Sequence, residues 1–244
     1  SASHLFVSNV GNGRFEEVDR LSVGAAQAYN GGWPCYEGPE RNYEYAGEFE
    51  GMPSPSLDVC IGQYEAEDHG EPQTSAPYYS YPHSGPAVPG DPCVKPYTDV
   101  AGNAFYTGTS YPAAYRGAFF FADAIRGCIY MMQALPNGEP NPATATTFLA
   151  QEKSFVFPGI DVEPGPEGDL FYVEYGQFGM PGLGSIHRIT YEGTEPGPTP
   201  TPPPPTPPAK TYQRPKIKKR PAKKTTHRAA RFAFRGESGL RFRC

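Results

Sequence analysis

A recurring strand–turn–strand unit constrains the fold of this 244-residue chain more than any other feature. In each copy a strand rich in aromatic and β-branched residues runs through a turn into a more polar strand. The copies pair residues 4–8 with 16–21, 118–123 with 128–132, and 169–174 with 185–191. Short runs of this composition, bounded by turn residues, are typical of antiparallel strands. The pattern therefore predicts an all-β fold.

The last two copies are each preceded by a further strand, at residues 102–107 and 159–162. Three-strand units that recur about every 50 residues favour the blades of a β-propeller. A β-sandwich with irregular hairpins is the alternative.

Helical signals are nearly absent, and residues 36–92 show little periodicity. We interpret that stretch as a long excursion over one face that contributes to a binding surface.

Composition supports many short strands joined by rigid turns. The chain contains 28 Gly, 30 Pro, 17 Tyr and 15 Phe but one Trp. No run of 18 apolar residues occurs, so the sequence predicts no membrane span. The first residues lack the pattern of a signal peptide, and residues 4–8 are already typical of a strand. We therefore expect the chain to begin inside a longer protein.

Charge and proline content divide the chain. Residues 193–209 form a Pro-rich linker, which is typical of an extended, semi-rigid spacer. Residues 1–208 hold 8 Lys/Arg and 25 Asp/Glu, whereas residues 209–244 hold 13 Lys/Arg and one acid. The acidic part argues against a nucleic-acid partner, and the basic tail predicts contact with an anionic cell-wall polymer. Within the tail we expect a solvated run at 214–224, then two short strands at 230–234 and 240–244.

Five cysteines lie at positions 35, 60, 93, 128 and 244. None forms a CxxC pair or lies beside histidine at metal-ligand spacing. Disulfides in an oxidising compartment are favoured over reduced core thiols, which predicts a secreted or cell-envelope protein. Four cysteines allow three connectivities, so the residues alone leave the pairing open.

Five segments, in order, resemble motifs of the glucose/sorbosone dehydrogenase family, the soluble quinone-dependent sugar dehydrogenases. They are NVGNGRFEEVD at 9–19, NGGWPCYEG at 30–38, AGNAFYTGTSYPAAYRGAFFFADAIRGC at 101–128, DVEPGPEGDLFYVEY at 161–175 and GSIHRI at 184–189. The resemblance implies a six-bladed propeller, of which residues 1–192 supply about the last three blades. After the linker, residues 210–244 resemble a basic segment and the start of a bacterial Ig-like surface repeat, a small β-sandwich truncated at its end.

The resemblance also implies cofactors, pyrroloquinoline quinone (PQQ) and calcium. Calcium would be held partly by backbone carbonyls at Gly11 and Asn12, although the same residues are typical of a hairpin turn. Arg126 would contact the quinone, but Pro158 and Ile160 stand where the family has arginines. The family's catalytic histidine belongs to the N-terminal half, so no residue here is assigned a catalytic role.

Further expectations come with the same resemblance. The cysteines would pair as Cys35–Cys60 and Cys93–Cys128, which leaves Cys244 without a partner in the chain. The residues themselves favour an ion pair between Asp123 and Arg116 that stabilises one blade. His69 and His83 lie in the long excursion, where an exposed loop residue is favoured over a ligand contact.

Trp33 and Tyr36 lead an aromatic group, interleaved with acids, that predicts a carbohydrate-binding rim. Aromatic faces suit the C–H patches of sugar rings, although the same residues are also suited to a core poor in aliphatics. The resulting hypothesis is an extracellular propeller whose full-length parent oxidises an aldose- or sorbosone-type sugar with a quinone, the fragment itself being inactive. The alternative is a non-catalytic cell-envelope propeller that binds glycan or protein.

Overall fold

The computed structural model describes residues 4–25, 28–42, 57–150, 160–165, 167–176 and 184–193, together with 216–219 and 233–235. Contacts divide the chain into two compact units, Ser1–Pro198 and Thr199–Cys244. In chain order the elements are β1 (His4–Asn9), β2 (Phe15–Ser22), β3 (Tyr36–Glu37), β4 (Glu40–Arg41), α1 (Leu57–Asp68), β5 (Tyr79–Pro82), β6 (Val100–Phe105), β7 (Phe119–Asp123), β8 (Cys128–Met132), β9 (Thr146–Ala150), β10 (Asp161–Pro164), β11 (Leu170–Glu174), β12 (Ser185–Ile189), β13 (Lys216–Lys219) and β14 (Ala233–Arg235).

Three antiparallel sheets build the first unit, with strand orders β1-β2-β5, β6-β7-β8-β9 and β10-β11-β12. In each sheet the strands follow one another across the sheet in chain order, as successive hairpins produce. Strand β6, at the edge of the middle sheet, contacts β1 on one side and β10 on the other. The predicted all-β class is confirmed, because the described residues are mostly strands with a single α-helix.

The middle sheet is buried on both faces, and β7 shows why. Its side chains alternate, so Phe119 and Phe121 join a core cluster with residues of β2 and β5. Phe120 points to the other face and packs in a second cluster with Val162 and Leu170. Complete burial of an aromatic side chain contributes about 2–3 kcal/mol. The FFF run therefore connects three sheets through two cores.

The excursion between β2 and β6 contains more regular structure than the sequence predicts. Helix α1 and strand β5 both lie within residues 36–92, so the expectation of no helix is wrong at Leu57–Asp68. The helix buries Cys60 and Tyr64, one turn apart, against Cys35 and Tyr36. This small cluster packs the helix against the segment that follows β2.

Two disulfides connect the cysteines in the pairs that the family resemblance implies. Cys35 and Cys60 have Cα atoms 5.0 Å apart, and Cys93 and Cys128 have Cα atoms 6.4 Å apart. The first attaches α1 to the segment after β2, and the second joins a loop to the start of β8. Cys244 lies outside the described residues.

In the second unit, β13 and β14 form an antiparallel pair in which Ile217 is opposite Phe234. Strand β13 therefore lies within the 214–224 run, and the expectation that this run is solvated stays a prediction. Residues 240–244 lie outside the described part of the chain, so the strand expected there stays a prediction.

Candidate functional site

A cleft of about 310 Å³ lies beside the first sheet. Its lining residues come from β1, β2 and the segment 29–33, and they are Val7, Ser8, Asn9, Asp19, Leu21, Tyr29, Asn30, Gly31, Gly32 and Trp33. Ligand pockets commonly measure roughly 300–1,000 Å³, so this cleft has room for a small ligand or one unit of a larger one. It combines two aromatic residues, one carboxylate and two side-chain amides.

The buried carboxylate of Asp19 forms the polar centre of the cleft. Asp19 is 4% exposed and lies opposite Val7 in the β1–β2 register. Its Oδ1 accepts a hydrogen bond from the Tyr29 hydroxyl at 2.8 Å, and its Oδ2 accepts one from Asn9 Nδ2 at 3.1 Å. Burial and the neighbouring Asp19 raise the pKa of Tyr29, so the phenol keeps its proton and continues to donate.

Glu17 lies behind Asp19 and is coupled to it through Asn9. The Asn9 amide donates to Glu17 Oε2 at 3.3 Å as well as to Asp19, while the Gly38 N–H donates to the other Glu17 oxygen. Burial, opposed by the Gly38 hydrogen bond and assisted by the charge of Asp19, raises the pKa of Glu17 to about 7. Glu17 is therefore partly protonated near neutral pH.

The indole of Trp33 lines the same cleft and is 53% exposed. Local hydrogen bonds fix the segment that carries it. Asn30 Oδ1 accepts from the Gly32 N–H at 3.0 Å, and Asn30 Nδ2 donates to the Gln73 carbonyl at 3.0 Å. Gly32 has φ +94°, where a side chain is strained and a Cβ would lie 3.0 Å from the Tyr36 ring. The turn thus presents an aromatic ring beside a buried carboxylate.

Tyr36, predicted alongside Trp33, does not reach the cleft. It is 8% exposed, its ring packs edge-to-face on Tyr64 at 5.3 Å, and its hydroxyl donates to Glu67 Oε2 at 3.0 Å. Tyr36 belongs to the core around the Cys35–Cys60 disulfide. Of the two residues predicted to bind substrate, the structure places Trp33 in the cleft and Tyr36 beneath its supporting segment.

The turn at Gly11 and Asn12 encloses a carboxylate. Glu37 Oε1 accepts hydrogen bonds from the N–H groups of Gly13 at 2.8 Å, Arg14 at 2.7 Å and Phe15 at 3.2 Å. Although burial opposes the effect, these three bonds lower the pKa of Glu37. Backbone N–H groups converging on one carboxylate form an anion-binding turn.

The described residues do not fit a calcium ion at this turn. Calcium takes about six to eight oxygen ligands, usually including carboxylates. The turn presents N–H groups to Glu37, and the described part of the chain contains no group of three or more His, Cys, Asp or Glu side chains that could hold a metal. Glu37 instead joins the turn to strand β3.

Arg126 is buried, and both terminal nitrogens of its guanidinium are hydrogen-bonded to protein groups. Its side chain is fully buried, with Nη1 3.1 Å from Asp91 Oδ2. Nη2 donates to the carbonyls of Pro82 at 2.8 Å and His83 at 3.2 Å, and the guanidinium lies over the Tyr81 ring. A cofactor-binding arginine must present donors to the ligand, so Arg126 in this arrangement does not fit a quinone.

The carboxylate of Asp123 contacts Arg126 rather than the predicted partner Arg116. Arg126 Nε lies 3.5 Å from Asp123 Oδ2, and Asp123 Oδ1 accepts from the Arg126 N–H at 2.8 Å. Arg116 is exposed at the turn before β7. Asp123 therefore organises the β7–β8 turn from inside the core.

His83 also differs from its prediction. Its side chain is 12% exposed, and Nε2 lies 2.6 Å from Oε1 of the fully buried Glu16. Burial raises the pKa of Glu16 to about 8 against the lowering effect of the Val100 hydrogen bond, and burial lowers the pKa of His83. Near neutral pH the Glu16–His83 pair thus holds a proton inside the first sheet.

A second cavity, of about 660 Å³, lies along the other end of β2. Its charged lining residue is Arg20, which pairs with Glu139 at 3.0 Å and lies over the Tyr78 ring. Small side chains and backbone form much of its remaining wall.

Sequence reasoning missed Asn9, Asp19 and Tyr29 as functional residues. Asn9 was assigned to a turn and Asp19 to a polar strand face. The alternation of Glu17 and Asp19, two residues apart on one strand, places both side chains on the same face and was the available signal. The approach of Tyr29 depends on the path of the chain after β2, which no local pattern specifies.

No family model, curated protein or solved structure matches this chain. Among the described residues, no helix has both the length and the apolar character needed to cross a membrane.

Proposed function

We propose that the first unit binds carbohydrate in the cleft of about 310 Å³ beside the first sheet, which we call the Trp33 cleft. The scaffold is proposed to be part of a β-propeller. One observation carries the proposal: a half-exposed indole and a buried, hydrogen-bonded carboxylate line the same small cleft. Sugar rings present C–H faces that pack on aromatic rings and hydroxyl groups that donate to carboxylates.

The arrangement of the sheets supports the propeller. Each sheet begins with an edge strand, and those three strands, β1, β6 and β10, are neighbours. Successive strands then continue outward in chain order, and the middle sheet packs on both of its neighbours. Blades around a central axis have this organisation. The five family-like segments of the sequence fall on these sheets and on the cleft.

The function that we propose for this chain is binding rather than oxidation. Quinone-dependent oxidation of a sugar by a longer parent protein stays a prediction of the family resemblance. The described residues give it no cofactor site, because Arg126 is enclosed and the Gly11–Asn12 turn holds Glu37. A non-catalytic glycan-binding propeller with a Pro-rich stalk accounts better for these contacts.

The lone tryptophan supplies the test. Since Trp33 is the one Trp in the chain, its fluorescence reports on the cleft without interference from other indoles. Titration of the full chain with a panel of neutral and charged oligosaccharides should change the intensity or wavelength of this emission for at least one sugar. No change across the panel would reject the proposal.

Calorimetry on variants then locates the site. Trp33→Ala should weaken the binding of the responsive sugar at least tenfold, about 1.4 kcal/mol. Tyr97→Ala is the matched control, because Tyr97 is 70% exposed and does not line the cleft. Equal affinities of Trp33→Ala and the unmodified chain would place the sugar elsewhere.

A further inference from the structure

The charge of the Trp33 cleft narrows the class of sugar. Its lining includes Asp19 but no Lys, Arg or His. Glu17 lies directly behind and shares the Asn9 amide with Asp19. The surrounding sequence adds to this field, since residues 1–208 carry 25 acids against 8 Lys/Arg. The cleft is therefore a region of negative potential.

The carboxylate of Asp19 has no cationic partner among the described residues. Its two recorded partners, Tyr29 and Asn9, are neutral donors. Removing a carboxylate from water costs free energy that neutral hydrogen bonds offset only in part. Each Asp19 oxygen has a second acceptor position, so the group is able to accept a further bond from a ligand.

We propose that the cleft selects a sugar bearing a protonated amine, with the ammonium group on Asp19 and the ring against Trp33. This inference rests on the proposed carbohydrate function and adds the class of sugar. An ammonium supplies the missing countercharge and makes charge-assisted hydrogen bonds. The indole face also attracts a cation within about 6 Å. A uronic acid would instead place like charges together.

Two trisaccharides that differ at one group test the selection. A β-1,4-linked glucosamine trisaccharide carries amines, and its N-acetylated counterpart has the same backbone without the charges. In fluorescence titrations of the full chain at low ionic strength, the amine form should bind at least tenfold more tightly. A linear aliphatic diamine should bind at least tenfold more weakly than the amino sugar, because it has no ring for Trp33.

The Asp19→Asn variant should lose the preference while retaining the Tyr29 hydrogen bond. Glu71→Gln is the control, since it removes one exposed carboxylate that does not line the cleft and should retain the preference. In case Asp19→Asn does not fold, salt provides a second measurement on the unmodified chain. The preference for the amine should shrink severalfold as ionic strength rises and screens the charges.

The outcomes separate the two proposals. Equal binding of both trisaccharides, a preference insensitive to salt, or an undiminished preference in folded Asp19→Asn would overturn the amino-sugar inference alone. Tight binding of the diamine would mean that the cleft recognises an amine rather than a sugar. Failure of every sugar to bind would overturn carbohydrate binding itself.

Discussion

Replacing Arg126 by methionine should destabilise the first unit by about 3–5 kcal/mol, the cost of leaving a buried carboxylate without its cation. The carboxylate is that of Asp91, whose side chain is as fully buried as that of Arg126, 3.1 Å away. The same substitution leaves the carbonyls of Pro82 and His83 without the donor that they share. Methionine preserves most of the volume, so the loss reports on charge and hydrogen bonds rather than on a cavity.

Urea unfolding measures this loss directly. With a slope of about 2 kcal/mol per molar urea, a change of 4 kcal/mol lowers the midpoint by about 2 M. Circular dichroism of the full chain reports the transition without depending on Trp33. Arg116→Met is the matched control, because Arg116 is exposed and should change stability by less than about 0.5 kcal/mol.

A double substitution isolates the ion pair. Asp91→Asn should recover part of the stability lost in Arg126→Met, because it removes the unpaired charge. If Arg126→Met lowers the free energy of unfolding by less than about 1 kcal/mol, the reasoning is refuted, and Arg126 would again be a candidate for contacting a ligand. Equal losses in Arg126→Met and Arg116→Met would refute it as well.

Two further predictions concern pH and the excursion. Since burial raises the pKa of Glu16 to about 8 from 4.5, the folded unit binds this proton more tightly than the unfolded chain does, and stability should fall as pH rises from about 4.5 to 8. Glu16→Gln is an uncharged mimic of the protonated acid. In urea unfolding at pH 5 and pH 9 it should reduce the pH-dependent change in stability by about 1–3 kcal/mol, leaving a smaller dependence from Glu17. Parallel pH profiles of the variant and the unmodified chain would contradict this prediction. Cys35→Ala/Cys60→Ala should destabilise the unit by about 3–4 kcal/mol, because the disulfide spans 25 residues, and unchanged thermal unfolding would show that the bond does not restrain the excursion.

The strands of the three sheets could be predicted because their signals are local. Alternating side chains and turn residues place the ends of β1, β2, β7, β8 and β11 within a few residues of where the structure has them. A strand of this kind shows its period and its turn within about ten residues. Strand β9 was not predicted, and β5 was missed because it lies in the excursion, where the surrounding sequence shows little periodicity.

Helix α1 could not be predicted because its apolar pattern is misleading. Cys60 and Tyr64 are buried, but Val59 and Ile61 beside them are 60% and 44% exposed. An amphipathic period requires the apolar residues to share one face. The helix instead depends on tertiary contacts with Cys35 and Tyr36, which lie more than 20 residues away in the chain.

The sequence could predict the type of candidate site but not which residues form it. Trp33, predicted to bind sugar, is half-exposed in the cleft, whereas Tyr36, three positions later, belongs to the core. A motif match shows which residue type occupies a position but not whether its side chain is buried. For this reason the resemblance assigned Arg126 to a cofactor, although protein encloses its side chain. Asp19, Asn9 and Tyr29 meet through the β1–β2 register and the turn after β2, neither of which is encoded within a single segment.

The indole N–H resonance of Trp33 tests carbohydrate binding most directly, because a chain with one Trp gives one such signal in a ¹H–¹⁵N spectrum. Titration of the full chain with the glucosamine trisaccharide should shift or broaden this signal in a saturable manner, and the Asp19→Asn variant should require at least tenfold more sugar for the same change. A stationary indole signal, in a sample whose other resonances move with the sugar, would show that the ligand binds away from the Trp33 cleft and would contradict the account.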